Sequence, residues 1–270
     1  MRKRNPASGM LFGEYLNRLR RMIDYWKRFY RLTVLGKARS IPRSVPLVRI
    51  ASWPARSGGL VIVAGFHCTE PAGPLCLVHY LHHILGRALD LGVPLTLYPV
   101  VNPYGFDYRK RSTVDGGYTN AGFIHAIDST GPEAALLRKD MERVRPRIFL
   151  DLHEDVETKR SYLYVLNGQP KLVRNLVKAL GRLVPLVADK ETIHDPQIII
   201  HRGVQVETGR LVVHGGVIRN HHDGSSEDFM SHQPGVVGSF AVETPTRGVS
   251  IELRMAAHLA VIDAALDFLA

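Results

Sequence analysis

The sequence lacks the features that mark membrane-spanning, disulfide-stabilised and disordered proteins. No apolar run approaches the roughly 20 residues of a transmembrane helix. Two cysteines, Cys68 and Cys76, are too few for a disulfide framework, and the 24 glycines and 16 prolines among 270 residues are not an excess. No apolar stretch of signal-peptide type follows the basic residues after Met1. We therefore expect a globular protein with a full hydrophobic core, located in the cytoplasm.

Acidic residues are scarce in one part of the chain only. Residues 1–50 hold 13 Lys and Arg against Glu14 and Asp24, a net charge of +11, so the other 220 residues sum to −1. Apolar side chains in residues 11–32 recur at three- and four-residue steps, which predicts an amphipathic helix with a basic face. We expect this helix to pack on its own domain; contact with a membrane surface is the alternative that we do not favour. The main body carries no charge excess that would predict a nucleic-acid partner.

Strands and helices alternate after residue 44. The apolar patterns predict strands at residues 45–51, 60–65, 95–101, 148–152 and 236–242. They predict helices at residues 71–91, 132–145, 170–183 and 251–269. Residues 189–233 have weak periodicity and predict loops or short strands. This alternation is typical of an α/β fold, here three α/β/α layers around a mixed, mostly parallel sheet. We predict two parts, a basic N-terminal extension at residues 1–44 and one catalytic domain at residues 45–270.

Candidate metal ligands follow two of the predicted strands. His67 and Glu70 lie three residues apart where a strand passes into a helix, and His153 ends another apolar strand. Ligands in open α/β sheets gather at the carboxyl ends of strands. Two histidines and one glutamate leave a coordination position for water, which is typical of a catalytic zinc site. We therefore predict one Zn²⁺ per chain, although taken alone His67 and Glu70 are better explained by a helix-capping carboxylate beside a surface histidine, and His153 by a solvated strand end.

Two further segments carry candidate catalytic groups. Glu243 follows the predicted strand at residues 236–242, where a carboxylate is placed to act as a general base. The turn Asn102-Pro103-Tyr104-Gly105 precedes the basic cluster Arg109-Lys110-Arg111, which can bring a guanidinium to a developing oxyanion. A solvated basic loop explains this cluster equally well on local grounds.

Taken together and in this order, these four segments resemble the zinc carboxypeptidases related to carboxypeptidase A. The family includes the succinylglutamate desuccinylase and aspartoacylase branch, and the resemblance spans about residues 60–245. It implies that His67, Glu70 and His153 bind zinc and that Glu243 is the catalytic base. It also implies that an arginine after the Asn-Pro turn stabilises the oxyanion, which an ungapped alignment assigns to Arg111, with Arg109 as the second choice.

The sequence departs from the family at the clamp for a substrate's terminal carboxylate. The family's Asp-x-Asn-Arg is replaced by Tyr118-Thr119-Asn120-Ala121, so Asn120 remains as a substrate-binding residue while the arginine is lost. Arg109, Arg202 and Arg219 are candidate replacements.

Three function classes follow from the resemblance. The favoured one is a zinc metallopeptidase acting on peptides or peptide-like substrates. A deacylase of N-acyl amino acids and a non-catalytic binding protein that keeps the fold are the alternatives. The acidic residue Glu154 after His153 favours the peptidase branch, because the deacylase branch tends to carry asparagine there.

Overall fold

The computed structural model describes residues 10–41, 43–54, 57–117, 119–120, 123, 131–194, 198–201, 204–207 and 210–270. Within these ranges the helices are α1 (Phe12–Trp26), α2 (Ala72–His79), α3 (Leu81–Asp90), α4 (Pro103–Tyr108), α5 (Pro132–Met141), α6 (Pro170–Gly181), α7 (Ser226–Ser231) and α8 (Ile251–Leu269). The strands are β1 (Tyr30–Ala38), β2 (Val45–Ser52), β3 (Leu60–Ala64), β4 (Leu95–Tyr98), β5 (Ile148–Asp155), β6 (Tyr162–Gly168), β7 (Thr192–His194), β8 (Ile198–His201), β9 (Val204–Glu207), β10 (Arg210–Val212), β11 (Val217–Arg219) and β12 (Gly238–Pro245).

Eight strands form one mixed sheet in the order β1-β2-β4-β3-β5-β12-β6-β11. The neighbours β4–β3, β3–β5, β5–β12 and β6–β11 are parallel. The neighbours β1–β2, β2–β4 and β12–β6 are antiparallel. The predicted mixed, mostly parallel sheet is therefore confirmed. Strands β7 with β10 and β8 with β9 form two small separate pairs.

The two faces of the sheet are covered by different helices. In β3, Leu60, Ile62 and Ala64 join a core cluster that includes α1, α2, α3, α6 and α8. The alternate residues Val61 and Val63 join a second cluster that includes α5 and α7. Successive side chains of a strand point to opposite faces, so this alternation places the central strand between two helical layers. The predicted three-layer α/β/α architecture is confirmed.

The basic N-terminal region contributes a helix and a strand to this architecture. Helix α1 buries an apolar stripe that begins at Phe12, and the Tyr15 hydroxyl donates to the Pro74 carbonyl oxygen at 2.8 Å. The predicted helix over residues 11–32 is wrong beyond Trp26, because Tyr30 begins β1, which pairs along β2 as the edge of the main sheet. The division at residue 44 stays a prediction. Among the described residues, no helix combines the length and apolar character needed to cross a membrane.

Other boundaries also differ from the sequence predictions. The single helix predicted for residues 71–91 is two helices, because Tyr80 leaves helical geometry between α2 and α3 with φ −103° and ψ 14°. The sequence patterns did not predict strand β6, which is mostly buried and lies between β12 and β11. The described parts of residues 189–233 form short strands, as predicted, but also the one-turn helix α7, which was not predicted.

We predict that α1 stabilises the fold through its buried face. Leu19 is completely buried, so Leu19→Ala should lower the free energy of unfolding by about 2–5 kcal/mol in urea denaturation. Asn17→Ala, at an exposed position of the same helix, is the control and should change it by less than about 0.5 kcal/mol. Equal effects of the two substitutions would contradict a core role for α1.

Candidate metal centre

The loop after β3 brings His67 and Glu70 to the carboxyl edge of the sheet. Gly65 turns the chain out of the strand with φ +73°, a conformation that side chains other than glycine rarely adopt. The Glu70 amide donates to the His67 carbonyl oxygen at 3.1 Å, which closes a tight turn before α2. Gly73 then lets α2 approach β5, since a Cβ there would lie 2.9 Å from the Leu152 carbonyl oxygen. The turn therefore holds Glu70 against the end of β5.

Three buried side chains converge at this edge. Glu70 Oε1 lies 3.1 Å from His67 Nδ1, and Glu70 Oε2 lies 2.9 Å from His153 Nδ1. The two imidazole centroids are 5.0 Å apart. One ligand-type atom from each side chain lies within 4.8 Å of the others. The sequence predicted these three residues as a group, and the structure brings them together with both Nδ1 atoms facing the carboxylate.

A second layer of side chains orients His153 from behind. Its Nε2 lies 3.1 Å from Asp151 Oδ2, and that oxygen also accepts a hydrogen bond from Ser226 Oγ at 2.8 Å. Asp151 Oδ1 has no hydrogen-bond partner within the described part of the chain. A carboxylate on the outer nitrogen of a histidine fixes the ring and leaves the other nitrogen for a metal.

Glu154 joins Glu70 to the surrounding elements. Its backbone amide donates to Glu70 Oε2 at 3.2 Å, and its Oε2 accepts from the Ala72 amide at the start of α2 at 2.6 Å. Its Oε1 pairs with the Arg254 guanidinium on α8, also in the interior. Removing one partner of a buried ion pair is strongly destabilising. This pair therefore fastens α2, β5 and α8 to each other directly beneath the cluster.

Hydrogen bonds of Asn102 in the Asn-Pro turn position the loop that carries Arg111. The Asn102 side chain accepts from the Gly105 amide at 2.8 Å and so caps α4. Its Nδ2 donates to the carbonyl oxygens of Arg111 and Ser112, and its backbone amide donates to the Gly65 carbonyl oxygen at 2.9 Å. Arg111 Nη1 lies 3.6 Å from Glu70 Oε1. Asn102 thus connects the Arg111 loop to the loop that carries the candidate ligands His67 and Glu70.

Glu243 lies beside His153 in the parallel ladder of β12 and β5. Neighbouring strands are about 4.8 Å apart, and residues paired in a ladder point to the same face. Both side chains line one cleft. The described residues that line this cleft are His67, Glu70, Arg111, Asn120, His153, Glu154, Asp155, Val156, Glu157, Tyr162, Tyr164, His221, Asp223, Glu227 and Glu243.

Of the substrate-binding candidates, the structure brings Asn120 to this cleft. Asn120 lies with its Nδ2 3.4 Å from His153 Nε2, and its Oδ1 accepts from the Ser226 amide at 3.1 Å. Arg109 is exposed, ends α4 with φ +56° and does not line the cleft. Arg219 is exposed and does not line it either. Tyr118, Ala121 and Arg202, which figure in the predicted loss of the carboxylate clamp, lie outside the described residues.

The electrostatics of the three central side chains suit a cation. Burial lowers the pKa of His67 to about 4, so the imidazole is neutral near pH 7. Burial acts to raise the pKa of Glu70, but His67 and His153 outweigh it and hold the pKa well below its usual value. Burial acts to lower the pKa of His153, yet Asp151 and Glu70 raise it. A metal ion binding here would release the proton from His153.

Three further carboxyl groups of the cleft have raised pKa values, and for Asp223 the main cause is burial. Burial, with the nearby charges of Asp151 and Asp223, raises the pKa of Glu227 to about 8. Burial raises the pKa of Glu154 to about 7, against the opposing effect of Arg254. Burial is the main cause of these shifts, and neighbouring carboxylates add to the shift of Glu227.

The donor set fits a zinc ion. His67 and His153 offer imidazole nitrogens, Glu70 offers a carboxylate oxygen, and all three are buried, with Asp151 behind one imidazole. Two histidines and one glutamate, with a position left open to a cleft, are the ligands of catalytic rather than structural zinc sites.

No protein-family model and no curated protein matches the sequence. Solved structures do match. A candidate metallopeptidase from Shewanella baltica is 25% identical, with a TM-score of 0.75 over 96% of this chain and 92% of that chain. A metallo-carboxypeptidase from Burkholderia cenocepacia is 16% identical, with a TM-score of 0.64 over 93% and 70%. Bovine thrombin-activatable fibrinolysis inhibitor, solved with a tick carboxypeptidase inhibitor, is 15% identical, with a TM-score of 0.65 over 96% and 97%.

The chain has the fold of metallo-carboxypeptidases. The predicted resemblance is confirmed, and the buried His-Glu-His group lies at the carboxyl ends of parallel strands, where open α/β sheets bind ligands. At the level of the fold, this is a metallopeptidase-like protein.

The sequence predictions for this carboxypeptidase-like chain missed several residues of the site. The contact of Asp151 with His153 could have been predicted, because the two residues lie two positions apart on one strand and therefore point to the same face. Ser226 and Glu227 had none, since α7 reaches Asp151 across 75 residues of sequence. Arg254 likewise pairs with Glu154 across 100 residues.

Proposed function

We propose that this chain is a zinc-dependent amide hydrolase of the metallopeptidase type, acting on peptides or peptide-like substrates. His67, Glu70 and His153 hold one zinc ion, Glu243 is the general base, and Arg111 stabilises the oxyanion. Asn120 contacts the substrate. The observation that carries this proposal is the buried His-Glu-His group in one cleft with Glu243, in a chain with the fold of metallo-carboxypeptidases.

The positions of the side chains support a separate role for each of them in amide hydrolysis. A zinc ion supplies a Lewis acid that polarises a carbonyl group and acidifies water. Glu243 takes a proton from the attacking water and returns it to the leaving amine as the carbon–nitrogen bond breaks. Arg111 reaches the cleft from its exposed loop and donates to the oxygen of the former carbonyl as negative charge develops on it. Glu154 and Asp151 keep Glu70 and His153 in place throughout.

The charge of the cleft supports a substrate without a strict need for a terminal carboxylate. Seven Asp and Glu residues line the described part of the cleft, and Arg111 is its one arginine or lysine. A carboxylate entering this cleft meets like charges, apart from the zinc ion and Arg111. The same reasoning weighs against N-acyl amino acids, which carry free carboxylates, and so against the deacylase alternative.

The first prediction concerns the metal. Replacing both His67 and His153 with alanine should reduce the zinc that survives gel filtration by one equivalent per chain, because two of three ligands are lost. Elemental analysis of purified protein measures this. His83→Ala is the matched control, since His83 is an exposed histidine paired with Asp263 away from the cleft, and it should keep the full zinc content. An unchanged zinc content in the double variant would place the ligands elsewhere.

The second prediction concerns Glu243. Glu243→Gln should lower kcat by roughly 10²–10⁴-fold, because an amide cannot accept the proton of the attacking water. Zinc content and the circular dichroism spectrum should match those of the unsubstituted protein, which separates loss of the base from loss of the metal or fold. Activity within about threefold of the unsubstituted protein would refute the assigned role.

The third prediction concerns specificity. The kcat/KM values of a peptide acid and its matched C-terminal amide should differ by less than about tenfold. A carboxylate clamp built on a charged hydrogen bond contributes roughly 1.5–3 kcal/mol and would produce a larger ratio. A preference of about a hundredfold for the acid would require another arginine to reach the cleft and would restore strict carboxypeptidase specificity.

A further inference from the structure

A second group of metal-ligand side chains lies outside the catalytic cluster. His222, Asp228 and His232 each offer one ligand atom, and these atoms lie within 4.8 Å of one another. His222 Nδ1 is 2.6 Å from Asp228 Oδ1, and His232 Nδ1 is 3.7 Å from the same oxygen. The two imidazole centroids are 5.7 Å apart. We propose that these three residues form a second binding site for a transition-metal ion.

The carboxylate of this group is fixed, whereas its imidazoles are adjustable. Asp228 is buried on α7, and its Oδ2 accepts a hydrogen bond from the Gly224 amide at 2.9 Å, which leaves Oδ1 directed at the imidazoles. The side chains of His222 and His232 are 47% and 61% exposed. Ligand atoms about 2.0–2.2 Å from a tetrahedral ion are separated by roughly 3.3 Å, so each imidazole needs a movement below about 1 Å. Binding through His232 Nδ1 replaces its present contacts with the Asp228 carbonyl oxygen and with Ser231 Oγ.

The ligand set selects the class of ion. Two imidazoles and one carboxylate suit Zn²⁺, Cu²⁺ and Ni²⁺, whereas Ca²⁺ and Mg²⁺ require mostly oxygen ligands. The exposed imidazoles leave further positions to water. Because both histidines reach solvent, this site exchanges its ion more readily than the buried group at Glu70.

The location gives this ion a structural effect on the cleft. His222 lies between His221 and Asp223, which both line the catalytic cleft, and Glu227 precedes Asp228 and lines it too. His222 belongs to the loop at residues 221–224, Asp228 belongs to α7, and His232 directly follows α7. An ion bound by all three would therefore connect the loop to α7. The loop would then be held as a fixed wall of the cleft.

The experiment titrates Zn²⁺ into metal-free protein and counts bound equivalents by equilibrium dialysis. The unsubstituted chain should bind two, one of them readily exchangeable, and the His67→Ala/His153→Ala variant should keep the exchangeable one. His222→Ala and His232→Ala should each weaken the exchangeable site by about 100-fold or more, because loss of an outer-sphere partner alone costs roughly 10–100-fold. His83→Ala is the control, since its side chain is also 47% exposed and pairs with one carboxylate, and it should bind like the unsubstituted chain.

Amide hydrogen exchange provides a readout that does not depend on activity or on the catalytic metal. Zn²⁺ should slow exchange at residues 221–224 in the His67→Ala/His153→Ala variant and leave it unchanged when His232→Ala is added. Retention of the exchangeable equivalent in both His222→Ala and His232→Ala, or its loss in His83→Ala, would overturn the proposal. Because the catalytic ligands are intact in the single variants, failure here is distinct from failure of the proposed hydrolase site.

Discussion

Negative charge buried at the carboxyl edge of the sheet is the constraint on which the rest of this structure depends. Glu70, Asp151, Glu154, Glu227 and Glu243 are all buried there. Isolated buried carboxylates cost several kcal/mol each unless they are paired. Arg254 pairs with Glu154, and the imidazoles of His67 and His153 contact Glu70. Glu227 has a pKa of about 8, so it is protonated near pH 7 and carries no charge that needs pairing. A divalent cation at the His-Glu-His group would add positive charge to this edge, so binding a metal ion there would also stabilise the fold.

The register of the parallel strands determines which side chains meet at this edge. Parallel β3, β5 and β12 end together, so their last residues meet although they are far apart in sequence. The ladder sets His153 directly beside Glu243, so the proposed ligand and the proposed base lie on neighbouring strands. A slip of one residue would turn either side chain to the opposite face. Fully buried apolar residues in both strands oppose such a slip.

The sequence predicted the parts of the site that depend on strand ends and missed those that depend on tertiary contacts. Apolar runs and the polar residues after them located His67, Glu70, His153 and Glu243 in one region, because chain direction alone brings parallel strand ends together. The assigned roles of these residues remain predictions. Strand β1 was not predicted. Its apolar residues Tyr30, Leu32 and Val34 follow the apolar residues of α1 directly, and only their two-residue spacing distinguishes the strand from the helix. The pairing of Arg254 with Glu154 had no local signal at all.

The two halves of the cleft are held by different means. The candidate metal ligands and Glu243 lie on or next to strands, whereas Arg111 and Asn120 lie on loops, each held by hydrogen bonds from one residue. Asn102 holds the Arg111 loop, and Ser226 binds Asn120 through its amide and Asp151 through its hydroxyl. Groups on strands keep their geometry when loops change, because core packing fixes the strands. The loops that carry Arg111 and Asn120 can therefore change in sequence without disturbing the buried cluster beneath them.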